Sequence, residues 1–338
     1  MRKIVAVDGG GSKTLCILVD ESGVVIGKWL TGCTNHQICG IEQAATSLNN
    51  AVGGLLSHFG VPREEVAAMV FGLAGMDFPE DVKLMEQHLR PTIKEFQPEI
   101  LNDIWIALAT GGITNYGAIS VCGTGHNTGV MTKDGTRYGI NALRYPLGNY
   151  GGGIMLTEQA MHKAFRSFEK TGAYTTLEKH LPGQCQTRDM KELLEKVYKS
   201  RYTYHTSFEI PQLVDRLALE GDEICIQLLK NFGLEMGEMT GRLIQFSDHG
   251  DDQVPVVLAG SLHTKLTSSY LADSFAASLR SYCPGAGLKP LSYEPVLGAA
   301  LLALRTLDPE LVGERSEAIL AKMDQTLTTP KEVVGKVE

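Results

Sequence analysis

The sequence predicts an α/β protein of two duplicated domains built on mixed sheets, and three observations carry that prediction. Short aliphatic, β-branched runs alternate with stripes at helical spacing. The glycine-rich hairpin "VDGGGSKT", Val7 to Thr14, returns about one domain length later inside "GAISVCGTGHNTGVMTKDG", Gly117 to Gly135. The chain's 338 residues also exceed what one core usually holds. Two such hairpins imply duplicated domains facing each other across a cleft; a coincidental glycine hairpin is the alternative.

The elements follow in order. "MRKIVAVDGGG" enters a strand at once, and "TLCILVDESGVVIGKWL" reads as two strands about an Asp-Glu-Ser-Gly turn. Ile41, Ala44, Ala45, Leu48, Val52 and Leu55 then recur at the spacing of an amphipathic helix. "VAAMVFGLAGMD" is a buried strand ending in a glycine loop, and "PEDVKLMEQHLR" is a short helix. "EILNDIWIALATGG" is a strand passing into a helix at Asn102 and Asp103. This order places helices on the faces of a mixed sheet, and ligands of such folds gather beyond the C-terminal ends of the strands.

The second half restarts the pattern, with Gly123, Gly125 and Thr128 matching Gly9, Gly11 and Thr14. "TEQAMHKAFRSF" and the run from Asp222 to Phe246 are helical, the latter with a stripe through Phe232, Met236, Met239, Leu243 and Phe246. "HLPGQCQTRDM" reads as a surface loop. "QVPVVLAGSLHTK" is a buried strand ending in a Gly-Ser turn, and "EPVLGAALLALRTL" is a Pro-led apolar helix whose small residues permit close packing. The first domain is therefore expected over 1–115 and the second, with a helical insertion, over 116–314. A last helix at about 315–335 is expected to return to the first.

Composition narrows the function. A net charge of -8 argues against a nucleic-acid or anionic-membrane partner. The N-terminus shows no apolar leader, and no stretch approaches a membrane span, so a cytoplasmic protein is expected. Seven cysteines, odd in number and without a C-x-x-C pair, read as reduced and mostly buried thiols.

"VDGGGSKT" fits neither the Walker A spacing nor the dinucleotide fingerprint, because Ser12 separates the last glycine from Lys13 and a strand follows rather than a helix. Backbone N–H groups of Gly10 and Gly11 can converge on an anion, with Ser12, Lys13 and Thr14 adding hydroxyl and ammonium donors. A glycine turn without a ligand is the other reading. Asp8, at the strand end beside this turn, suits magnesium or merely caps the turn. Asp103 either caps its helix or points into a cleft.

The set "VDGGGSKT", "GLAGMD", "LNDIWIALATG", "SVCGTGHN", "VVLAGS" and "PVLGAALLAL" resembles, in this order and as far as about Leu307, the BadF/BadG/BcrA/BcrD ATPase-like family. It looks most like the N-acetylglucosamine kinase branch of the actin/hexokinase/heat-shock-protein-70 superfamily. "TNHQICG", with Asn35 and His36, strengthens the likeness. The resemblance implies two ribonuclease H-like, actin-like ATPase domains around a nucleotide cleft, and a kinase that moves the γ-phosphate of ATP to an amino-sugar hydroxyl with Mg2+. It further implies Asp103 as base, both glycine hairpins (including Gly123, Thr124 and Gly125) on the ATP phosphates, and Gly260 and Ser261 near the adenosine. Asn35, His36 and Asn127 would meet the sugar, and a homodimer is expected. For Gly260 and Ser261 a plain strand-end turn is an equal alternative.

One departure stands out. Where the family has an acidic "GDEGS", this chain reads "LGNYGGG", so Gly148, Asn149 and Tyr150 replace the sugar-holding acids. Asn149 can still exchange hydrogen bonds and Tyr150 can stack on a sugar face. The change leaves room for another amino sugar, or for a weakened sugar- or nucleotide-sensing protein. An ATP-driven activase of a dehydratase is a further reading, which the scattered cysteines oppose.

Overall fold

The computed structural model describes residues 1–111, 116–140, 142–200, 209–248, 253–328 and 333–334. Along the chain run β1 (Lys3–Gly9), β2 (Thr14–Asp20), β3 (Val25–Thr31), α1 (His36–Cys39), α2 (Ile41–His58), β4 (Val66–Leu73), α3 (Pro79–His88), α4 (Pro91–Lys94), β5 (Glu99–Asn102) and α5 (Asp103–Thr110). Next come β6 (Gly117–Cys122), β7 (His126–Met131), β8 (Arg137–Gly139), α6 (Gly153–Phe168), α7 (Leu177–Gln184), α8 (Met190–Lys199), α9 (Glu209–Leu219) and α10 (Glu223–Phe246). The chain closes with β9 (Pro255–Ala259), α11 (Ser261–Thr264), α12 (Tyr270–Tyr282), β10 (Gly287–Pro290), α13 (Pro295–Leu307), α14 (Glu314–Thr328) and β11 (Val333–Val334).

Two compact units emerge, Met1–Gly117 with Leu291–Glu338, and Ala118–Pro290. In the first, the strand order is β11-β3-β2-β1-β4-β5. β1, β2 and β3 form an antiparallel meander, while β4 and β5 add in parallel beside β1. The second unit repeats this plan as β8-β7-β6-β9-β10, with β9 parallel to β6 and β10 parallel to β9. The duplication expected from the glycine hairpins thus extends to whole sheets.

The apolar runs are continuous because both sheet faces of the first unit are covered. Ile4 and Ala6 pack with Ile17, Ile106, Ala300 and Leu301 on one side, whereas Val5 and Val7 pack with Leu18, Leu48, Val52 and Leu55 on the other. Period-two alternation divides one strand between two helical layers.

Three expectations change. α13 lies with the first unit rather than with 116–314, because Leu297, Ala300, Leu301 and Leu304 close one face of the first sheet. "HLPGQCQTRDM" is not a surface loop: Leu181 and Pro182 are buried in α7, and Met190 is buried at the start of α8. On α10 the seam runs through Phe232, Gly233, Met236, Gly237 and Gly241, while Phe246 is exposed. A Cβ at Gly237 would meet Phe275 O at 2.5 Å, so α12 approaches where side chains are missing. Residues 329–332 and 335 of the expected last helix lie outside the described residues; α14 ends at Thr328.

Candidate functional site

In the first unit three loops meet at the end of β1. Gly10 N–H donates to Lys13 O at 3.0 Å and closes the glycine turn, leaving Ser12 and Lys13 exposed. Gly9 O accepts from Ala74 N–H at 2.8 Å, and Gly10 O accepts from Thr34 N–H at 3.1 Å. The loops after β3 and β4 are thereby tied to the turn. Thr14, expected to face an anion, is fully buried; its hydroxyl donates to Gly32 O at 2.8 Å and stands 2.8 Å from Thr34 Oγ1. It braces the turn from behind.

The segment around Asn35 is a single helical turn rather than an irregular loop. Asn35 Oδ1 caps α1 by accepting from Gln37 N–H at 2.9 Å. His36 turns to Asp81, with Nε2 3.1 Å from Oδ1, and its buried Nδ1 has no partner among the described residues. Asp81 Oδ2 in turn accepts from Phe78 N–H at 2.9 Å and from Asp77 N–H at 3.2 Å. Gln37 Nε2 donates to Asp77 Oδ2 at 2.7 Å, and Asn102 Nδ2 donates to Asp77 Oδ1 at 2.9 Å.

Asp103 opens α5, but the cap belongs to its neighbour: Asn102 Oδ1 accepts from Ile104 N–H at 3.1 Å. Burial, and then the charge of Asp77, push the Asp103 carboxyl up to about 6. Burial pushes Asp8 up to about 7; Asp103 and Glu294 add to the rise and Lys13 opposes it. Three acids against one lysine are a donor set short of positive charge. Among the described residues no three His, Cys, Asp or Glu side chains are grouped to hold a metal unaided. Magnesium beside phosphates needs only one or two carboxylates, so Asp8 fits that role.

In the second unit Gly123 N–H donates to Gly125 O at 2.9 Å. The carbonyls of Gly123 and Thr124 accept from Gly153 and Ile154 N–H at 2.8 and 3.1 Å, which pins the turn to the start of α6. Gly152, at φ +89, is required there, since a Cβ would fall 2.5 Å from Gly125 Cα. Gly260 precedes α11 at φ +87, and its Cβ would fall 2.5 Å from Cys122 O. Gly260 therefore lies against the same turn, and Ser261 follows it as the first residue of α11. Ser120 Oγ bridges the start of β7 and α11, 3.1 Å from His126 Nε2 and 2.9 Å from His263 Nε2. Burial lowers His126 to about 4 and His263 to about 3, so both rings are neutral.

The departing segment is internally engaged. Asn149 is buried and Nδ2 donates to His126 O at 2.9 Å, while its Oδ1 has no partner among the described residues. The Tyr150 ring packs 5.0 Å from Phe232, and its hydroxyl accepts from Gln159 Nε2 at 3.1 Å. Gly148 is exposed, and Asn127 Oδ1 is buried without a partner among the described residues.

Sequence reasoning missed Asp77, Asp81, Gln37, Glu294, Ser120, His126 and His263. "GLAGMD", "SVCGTGHN" and "GSLHT" displayed four of them, yet their partners lie up to 143 residues away.

The model of the BadF/BadG/BcrA/BcrD ATPase family matches residues 5–303. An N-acetylmuramic acid/N-acetylglucosamine kinase from Clostridium acetobutylicum is 24% identical over 308 residues, covering 91% of this chain and 100% of its own. An N-acetyl-D-glucosamine kinase from Dictyostelium discoideum is 22% identical over 313 residues, covering 89% and 98%. The crystal structure of a proposed N-acetylglucosamine kinase from Chromobacterium violaceum superposes with a TM-score of 0.63 at 20% identity, covering 90% of this chain and 99% of that one. The chain accordingly shares its fold with that structure.

Proposed function

The chain belongs to the BadF/BadG/BcrA/BcrD ATPase family, and on that premise we propose that it is an ATP-dependent kinase transferring the γ-phosphate to a hydroxyl of an amino sugar, N-acetylglucosamine or a related sugar. The observation that carries this reading is the placement of Asp103 at the first turn of α5, uncommitted to the cap that Asn102 makes, where burial pushes its carboxyl up to about 6. Such a group is ionised at neutral pH and basic enough to take the proton of an attacking hydroxyl. The names of the two curated relatives support the amino-sugar class.

The sugar hydroxyl gives its proton to Asp103 as its oxygen bonds to the γ-phosphorus and the bond to the ADP oxygen breaks. The turns Gly10–Lys13 and Gly123–Gly125 supply hydroxyl and ammonium donors and the N–H groups they do not use themselves to the phosphates; the Gly10 and Gly123 N–H groups close their own turns instead, and Thr14 holds the first turn in shape. Gly260 and Ser261 let the nucleoside approach the backbone. Asp8 would hold Mg2+, which when bound neutralises phosphate charge. Asn35 in the first unit, and Asn127 and Gly148 in the second, are assigned to sugar contact in this reading, with His36, Asn149 and Tyr150 holding their own segments. A cytoplasmic homodimer completes the reading, and light scattering on the purified protein tests the dimer.

The test is an ADP-release assay with ATP and Mg2+ against N-acetylglucosamine, N-acetylmuramic acid and other amino sugars, with Asp103→Asn alongside. Sugar-dependent ADP release that the variant loses is the expected result. ATP binding without release for any sugar would overturn the kinase reading.

A further inference from the structure

We propose that Cys33 and Cys39 are a modification site, a thiol pair that peroxide converts to a reversible disulfide across the segment carrying Asn35 and His36. Both thiols donate to one oxygen: Cys33 Sγ lies 3.4 Å and Cys39 Sγ 3.3 Å from Asn35 O. Cys39 Sγ also lies 3.6 Å from Cys33 O. The two sulfurs are therefore neighbours before any oxidation. Both residues are partly exposed, whereas Cys16, Cys122, Cys225 and Cys283 are buried. Oxidant reaches the pair and not those four.

The chemistry closes without another reactant. Cys33 Sγ attacks one oxygen of hydrogen peroxide, the O–O bond breaks, and a sulfenic acid and one water form. Cys39 Sγ then attacks that sulfur, making the S–S bond and releasing the second water. Two thiols lose two electrons and two protons, and one peroxide becomes two waters. Burial pushes the Cys39 thiol up to about 11, and the adjacent Cys33 adds to the rise; the balance is the same whichever thiol reacts first.

Closure acts on α1. In the thiol form the Asn35 carbonyl takes two S–H donors besides the N–H groups of Ile38 and Cys39. The disulfide removes both S–H donors and draws residue 33 to residue 39, displacing the turn that positions Asn35 and, through Gln37, reaches Asp77. The effect on turnover rests on the sugar-kinase reading; bond formation does not.

The experiment exposes reduced protein to hydrogen peroxide, alkylates free thiols, and maps peptides by mass spectrometry. In parallel it follows sugar-dependent kcat/KM for the wild type, Cys33→Ser and Cys39→Ser, before oxidation, after it, and after dithiothreitol. The expected result is a Cys33–Cys39 cross-linked peptide. With it comes a loss of about tenfold or more in kcat/KM for the sugar, reversed by dithiothreitol and absent in both variants. A map without that bond overturns the proposal, as does a bond that leaves kcat/KM unchanged. If the reduced enzyme shows no turnover at all, the kinase reading has failed, and the peptide map alone still decides whether the disulfide forms.

Discussion

Asn102 Nδ2 donates to Asp77 Oδ1 across 2.9 Å, so the residue that caps α5 also grips the loop after β4. Because Gln37 holds the other oxygen of the same carboxylate, Asp77 joins the Asn35 turn to the helix that presents Asp103. Replacing it tests a positioning role. Asp77→Asn should lower kcat by about tenfold or more. It should also move the acid limb of the kcat/KM profile to lower pH, since the Asp77 charge raises the Asp103 carboxyl. A kcat loss with an unmoved acid limb would mean that the charge of Asp77 does not reach Asp103.

Asp103→Asn should cost about 100- to 10,000-fold in kcat with little change in sugar binding. In the wild type the base must be ionised, so activity should fall as pH drops through about 6. A pH–rate profile flat from 7 to about 5 would remove Asp103 from the base role.

Stability against acid separates two groups of residues. His126 and His263 sit below their ordinary 6.5, at about 4 and about 3, so the unfolded chain binds protons that the fold refuses. Their contribution is present above 6.5 and is lost as pH falls from 6.5 toward 4. Asp8 and Asp103, raised to about 7 and about 6, act in the opposite sense, because there the fold binds protons more readily. Urea unfolding at pH 7 and pH 5 should therefore show a smaller acid loss for His263→Gln than for the wild type. An equal loss would locate the acid sensitivity elsewhere.

Asn149→Ala removes the side-chain amide that donates to the buried His126 carbonyl at 2.9 Å. The expected cost is about 1–3 kcal/mol, read as a lower Tm by calorimetry. An unchanged Tm would show that the segment replacing the acidic pair carries no structural load.

Gly152→Ala combines a φ of +89 with a Cβ 2.5 Å from Gly125 Cα. It should raise KM for ATP more than KM for the sugar, because the displaced atoms belong to the second glycine turn. Equal effects on both would argue against a phosphate role for Gly123–Gly125.

What the sequence determined by itself is short-range. Val and Ile runs, glycine turns and the stripe from Ile41 to Leu55 follow from periods of two and 3.6 and from backbone sterics, and those are local properties of the chain. The repeated hairpin even announced the duplicated sheets. Tertiary structure decided the partners. It alone sent α13 under the first sheet, buried Thr14 behind its own turn, aimed His36 at Asp81, and bridged His126 to His263 through Ser120. The α13 contact is selected by the apolar face it covers, and the polar pairings, which span from 6 to more than 100 residues, by which buried groups must satisfy one another once the helices close over the sheets, a condition that no local pattern encodes.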